Sequence, residues 1–151
     1  MNKGKKIVSL FFVFLILSLC GNLCAKERKM GEICFAGGLS FLDGGNAPLG
    51  AVSLGIYYKV IGIEVNGAIL GGAQVIGGNL VAGPFDNQSL IPYATGGIWT
   101  TTYGGFGFNF GGGIKIRLSE GFAFRSEYRR YFFSDTDWGL NVIVGGISLF
   151  F

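Results

Sequence analysis

Residues Gly104–Leu118 read GGFGFNFGGGIKIRL, Ser119–Gly121 read SEG, and Phe122–Phe133 read FAFRSEYRRYFF. Successive side chains of a strand point to opposite faces, so the stretch is read with a period of two. In the first arm Phe108, Phe110, Ile114, Ile116 and Leu118 share one parity, and Asn109, Lys115 and Arg117 share the other. In the second arm Phe122, Phe124, Tyr128 and Phe132 oppose Arg125, Glu127 and Arg129. The polar tripeptide between them ends in Gly121, which takes a turn conformation without steric penalty. The pattern predicts a β-hairpin with one apolar and one charged face. Each arm has about a dozen residues, against about 5–6 in an average strand and about 9–11 in a tilted strand that crosses a bilayer.

The alternation continues on both sides of this hairpin. Strand-like runs are predicted at 31–42, 49–58, 61–70, 73–83, 91–102, 106–118, 122–133 and 139–151. They are joined by short segments rich in Gly, Asn, Asp and Pro, the residues that turns require. Glycine pairs interrupt several runs, as at Gly37-Gly38, Gly77-Gly78, Gly96-Gly97 and Gly145-Gly146. Such positions mark bends or close approaches of backbone, and closed barrels use them to curve. The last run is ambiguous, because Ile143, Ile147 and Leu149 have one parity while Leu140, Val142 and Val144 have the other.

Composition narrows the class. Glycine makes up 28 of 151 residues, roughly 19% against an average of about 7%. Charged residues are 14%, against about 25% in soluble domains. After the leader no run approaches the roughly 20 apolar residues of a membrane helix. A hydrophobic chain without spanning helices fits a membrane barrel, which shows lipid only every second residue.

Residues 1–25 are expected to be a cleaved signal peptide: Lys3, Lys5 and Lys6 precede the apolar segment Ile7–Leu19, and Ala25 ends it. Residues 26–151 then form one barrel domain with nine Lys/Arg and nine Asp/Glu, since three of the 12 basic residues lie in the leader. A neutral domain carries no nucleic-acid footprint. Cys34 is the only cysteine after residue 25, so no internal disulfide framework is expected.

Two orientations of the barrel wall are open: charges inward with lipid outside, or charges outward in water. Runs 31–42, 73–83 and 91–102 hold a single charge between them, Glu32. Such an exterior would aggregate in water but suits lipid, and closure satisfies the backbone groups that a bilayer cannot. The expected fold is therefore an all-β, eight-stranded antiparallel up-and-down transmembrane barrel with both termini on the periplasmic side. Aromatic girdles mark such barrels at both interfaces. Tyr57, Tyr58, Tyr93 and Phe151 are assigned to the periplasmic rim, and Trp99, Tyr103, Phe133 and Trp138 to the outer rim.

The chain resembles the OmpA-like group of small eight-stranded outer-membrane β-barrels. The resemblance rests on Pro92-Tyr93-Ala94-Thr95-Gly96-Gly97, the block Phe106–Gly113, the strand Phe124–Arg129 and the terminal Phe151. It implies residence in the outer membrane and recognition by the barrel-assembly machinery through a C-terminal strand ending in Phe151. It leaves function open among structural anchors, narrow pores and surface binding modules.

Chemistry is limited. Histidine is absent, which removes His-based acid–base and Ser-His catalysis. The lipid A deacylases and acyltransferases of this architecture use histidine, so the resemblance does not extend to them. No catalytic residue, metal ligand set, cofactor or small-molecule substrate is legible. Asp135 and Asp137 read as a solvated turn. What remains is a lumen set: Glu64, Asn109, Lys115, Arg117, Arg125, Glu127 and Arg129. It is either a salt-bridge plug in a narrow barrel or the lining of a solute path, with cations in excess.

Overall fold

A computed structural model describes residues 30–42, 45–70, 72–86, 89–134 and 139–151. The signal-peptide assignment, Asp135, Asp137 and the girdle assignment of Trp138 lie outside these residues. Eight strands follow in order: β1 (Met30–Leu42), β2 (Gly45–Tyr58), β3 (Ile61–Leu70), β4 (Ala73–Ala82), β5 (Leu90–Thr101), β6 (Phe106–Ser119), β7 (Phe122–Phe133) and β8 (Gly139–Phe150). Each pairs antiparallel with the next, and β8 pairs with β1 to close the barrel. The closing ladder runs from Glu32 opposite Phe150 to Phe41 opposite Asn141. Reciprocal backbone bonds between Gly31 and Phe151, 2.9 and 3.0 Å, extend it to the last residue. No helix among the described residues is long and apolar enough to cross a membrane.

β2 begins at Gly45, before the expected 49, because Asn46, Ala47 and Pro48 pair with Phe41, Ser40 and Leu39. Turn-forming residue types there continue a ladder instead of ending it.

The period-two pattern resolves into faces. In β7, Ala123, Arg125, Glu127, Arg129 and Tyr131 are buried, while Phe124, Tyr128 and Arg130 are exposed. An apolar exterior runs round all eight strands, represented by Phe35, Val52, Ile63, Leu80, Ile98, Phe110, Phe124 and Ile147. A belt of this extent is far larger than the few hundred Å² that water-exposed monomers tolerate, and it matches the lipid band of a membrane barrel. Arg130 also faces outward, near the end of β7 remote from the termini. Its guanidinium lies over the Phe132 ring, 5.2 Å from the centroid, a position from which it reaches headgroups.

Several glycines fall where the backbone of a neighbouring strand comes close. A Cβ on Gly97 would meet the carbonyl oxygen of Gly78, and Asn79 Oδ1 and Cα at 2.5 and 2.7 Å. Gly78 faces open space instead. Gly97→Ala is expected to destabilise the barrel by about 1–3 kcal/mol, the usual cost of overpacking. Gly78→Ala should be neutral or slightly stabilising. Urea titration of the two variants in lipid vesicles checks the contrast, and equal losses would rule out close approach as the reason for Gly97.

Candidate functional site: the charged lumen

β3 and β7 are four strands apart in a ring of eight and therefore face each other across the lumen. Inward parity on β3 carries Glu64, and on β7 it carries Arg125, Glu127 and Arg129. The interior of such a barrel is only wide enough for side chains, so residues on opposite walls meet. Arg125 takes Glu64 with both terminal nitrogens, Nη1 to Oε2 at 2.8 Å and Nη2 to Oε1 at 3.2 Å. It also pairs with Glu127 through Nη2, donates from Nε to Tyr93 Oη at 2.7 Å and reaches Ser53 Oγ at 3.3 Å. Arg129 Nη2 lies 2.6 Å from Glu127 and 3.4 Å from Glu64. The carboxylates are held further by tyrosine hydroxyls: Tyr57 donates to Glu64 at 3.0 Å and Tyr93 to Glu127 at 2.7 Å.

Toward the termini lies a second charged layer. Lys115 on β6 pairs with Glu32 on β1, which also accepts from Ser148 Oγ at 2.7 Å and lies 3.6 Å from Arg125. The ammonium sits 4.0 Å from the Tyr57 ring centroid and 5.2 Å from that of Tyr93, a desolvated cation–π arrangement. Phe85, between β4 and β5, is buried against Tyr57 with ring centroids 4.6 Å apart. Its backbone N–H bonds Lys59 O at 2.7 Å, tying this segment to the β2–β3 turn. Tyr57, Val81, Phe85, Ile91 and Tyr93 form an apolar layer at the termini end of the lumen.

On the wall formed by β3 to β6, Asn79 Nδ2 donates to Asn66 Oδ1 at 2.7 Å. Asn109 and the hydroxyl of Thr95 are buried without a hydrogen-bond partner among the described residues. The end remote from the termini is apolar: Leu49, Val75, Trp99, Tyr131, Leu140, Val142 and Val144 pack there.

Of the expected lumen residues, Glu64, Asn109, Lys115, Arg125, Glu127 and Arg129 are buried in the interior. Arg117 is not in the network. It stands at the termini rim beside a register shift between Arg117 and Ser119, where Nη2 meets Met30 Sδ at 3.1 Å. Glu32, which sequence reading left as a lone acid near a strand end, joins instead. Its parity with buried Cys34 was the available signal. The excess of cations expected from sequence is therefore corrected: Lys115, Arg125 and Arg129 face Glu32, Glu64 and Glu127, three against three.

The girdle assignment is corrected at three positions. Tyr57, Tyr93 and Trp99 are buried inside the barrel, not at its rims. Each shares parity with an inward neighbour, Ser53 for Tyr57 and Thr95 for the other two, and strand parity overrides residue type. Tyr58, Tyr103 and Phe151 are exposed, while Phe133 is half-buried and packs edge-on against Trp99 at 4.8 Å.

No family model matches the chain, and no curated protein matches it. Solved structures do. The N-terminal β-barrel domain of OprF from Pseudomonas aeruginosa superposes with a TM-score of 0.67 at 15% identity, over 81% of this chain and 97% of that one. Neisserial surface protein A gives 0.64 at 9% identity, over 82% and 97%. A de novo designed transmembrane β-barrel gives 0.64 at 15% identity, over 81% and 95%. A designed protein matching as well as natural ones means that the likeness speaks for architecture and not for activity. The chain has the fold of the small eight-stranded β-barrels of bacterial outer membranes.

Proposed function

We propose that the protein is an outer-membrane barrel with a structural, membrane-maintaining role, and that its lumen is plugged by the balanced charge network. The observation that carries this reading is the Arg125–Glu64 pair, which joins opposite walls of the barrel. Balanced, mutually hydrogen-bonded charges hold a fixed arrangement and leave no free charge to draw ions. Residues 1–25 direct export, the termini face the periplasm, membrane lipid surrounds the strands, and the C-terminal strand ending in Phe151 is the segment read by the assembly machinery.

A narrow pore is the second reading. Its support is the row of Asn79, Thr95 and Asn109, whose buried polar atoms lack partners among the described residues; such atoms ordinarily hold water.

The structural role predicts a defined phenotype. The mature protein should fractionate with outer membranes and change apparent mass on boiling in detergent gels. A strain lacking it should become more sensitive to detergents and large hydrophobic antibiotics, with sensitivity reversed by the intact gene. Recovery as a soluble periplasmic protein, or a deletion strain with an unchanged barrier, would reject the role.

A further inference from the structure

The lumen contains a second feature, at the end remote from the termini, that the charge network does not account for. A cavity of about 120 Å³ is lined there by Leu49, Val75, Trp99, Tyr131, Leu140 and Val142. Lumens of outer-membrane barrels are ordinarily polar, and the neighbouring layer of this one is. An enclosed apolar cavity of about 150 Å³ takes up benzene; this one is of similar size and partly open, so it suits a guest with an apolar body of about six carbons. Directly below lies a chamber of about 40 Å³ that shares Leu49, Ala68, Tyr131 and Val142 with the cavity above and adds Glu64, Glu127 and Arg129. Arg129 is 3% exposed. Its Nη2 is taken by the two carboxylates, whereas Nε and Nη1 make no hydrogen bond of normal geometry among the described residues, although the Tyr131 hydroxyl stands beside the guanidinium. An unmade bond on a buried charged donor is costly, so these groups call for an oxygen.

The charge of that oxygen follows from the network. Arg125 and Arg129 are already balanced by Glu64 and Glu127. A further anion would enter a water-poor space without a counter-charge and beside two carboxylates. A neutral acceptor meets no such penalty.

We propose that this half of the lumen is a binding site for a small uncharged amphiphile, its six-carbon body in the apolar cavity and its carbonyl or hydroxyl oxygen on Arg129. The probe is hexan-2-one labelled with carbon-13 at the carbonyl, titrated into the barrel in lipid nanodiscs. Ketone dissolved in lipid keeps the carbonyl resonance it has in empty nanodiscs, so partition and binding are distinguishable. A saturable downfield resonance is expected, as for a carbonyl bonded to guanidinium. Leu140→Trp, which fills the cavity and leaves the charges untouched, should abolish it. Arg129→Lys should move the resonance back toward its lipid value. Hexanoate should compete about tenfold or more weakly, given the desolvation of an added anion. No saturable resonance, one that survives Leu140→Trp, or hexanoate competing as well as the ketone would each overturn the proposal. The ketone titration and the filled cavity decide the matter even where Arg129→Lys fails to fold.

Discussion

Arg125→Ala is expected to destabilise the folded barrel by about 3–5 kcal/mol, the range for removing one partner of a buried ion pair. Arg125 is the residue on which the interior converges, contacting Glu32, Glu64 and Glu127 together with Tyr93 and Ser53. Its loss leaves Lys115 and Arg129 against three buried carboxylates. Glu64 and Glu127 lose their principal partner, and Tyr93 Oη loses its donor. Removing Glu127 together with Arg125 should recover part of the loss, because two acids then face two bases. The measurement is urea-dependent folding into lipid vesicles for the single and double variants. A single variant within about 1 kcal/mol of the parent, the value of exposed pairs, would mean that the network adds nothing to stability.

The second large effect belongs to the exterior. Ile114 faces outward at 41% exposure near the middle of β6. Arg at that depth should cost about 2–4 kcal/mol, as at other lipid-facing midplane positions of barrels. Phe124 also faces outward but stands close to the termini end of β7, so Phe124→Arg should cost less, the charge being nearer to headgroups. Ala123, its inward neighbour, is fully buried, and Arg there fails by crowding the lumen, whatever surrounds the barrel. Folding yields in bilayers of increasing thickness separate the cases: the penalty at Ile114 grows with thickness, and that at Ala123 does not. A thickness-independent penalty at Ile114 would contradict a lipid-facing exterior.

The architecture was legible because alternation is a local property that closure merely repeats eight times. The hairpin of β6 and β7 alone exposed both faces, since Lys115, Arg125, Glu127 and Arg129 all fall on the parity opposite Phe110, Ile114 and Phe124. What sequence hid depended on position across the barrel. Nothing near Glu32 reveals that its partner is Lys115, 83 residues away. Tyr57, Tyr93 and Trp99 were misplaced because an aromatic residue suits an interface as readily as an interior, and only parity separates the two. The ambiguity of β8 has a physical origin as well. Leu140, Val142 and Val144 face an apolar stretch of lumen while Ile143, Ile147 and Leu149 face outward, so both faces of one strand are hydrophobic and alternation vanishes there. Arg117 was placed in the lumen by its parity, but it stands at the end of β6, where the inward direction leads to the rim and to Met30 instead of to the charge network.

The proposed plug is a charge-balanced network spanning β3 to β7. Planar-bilayer conductance of the purified barrel, compared with the Arg125→Ala, Glu127→Ala double variant, tests it most directly. The double variant keeps Lys115 with Glu32 and Arg129 with Glu64, so charge balance is retained while the two-pronged Arg125–Glu64 link is removed and only the 3.4 Å Arg129–Glu64 contact still joins β7 to β3. No resolvable channel events are expected for the parent, and clear conductance steps for the double variant. A parent that already conducts, with the double variant unchanged, would contradict it.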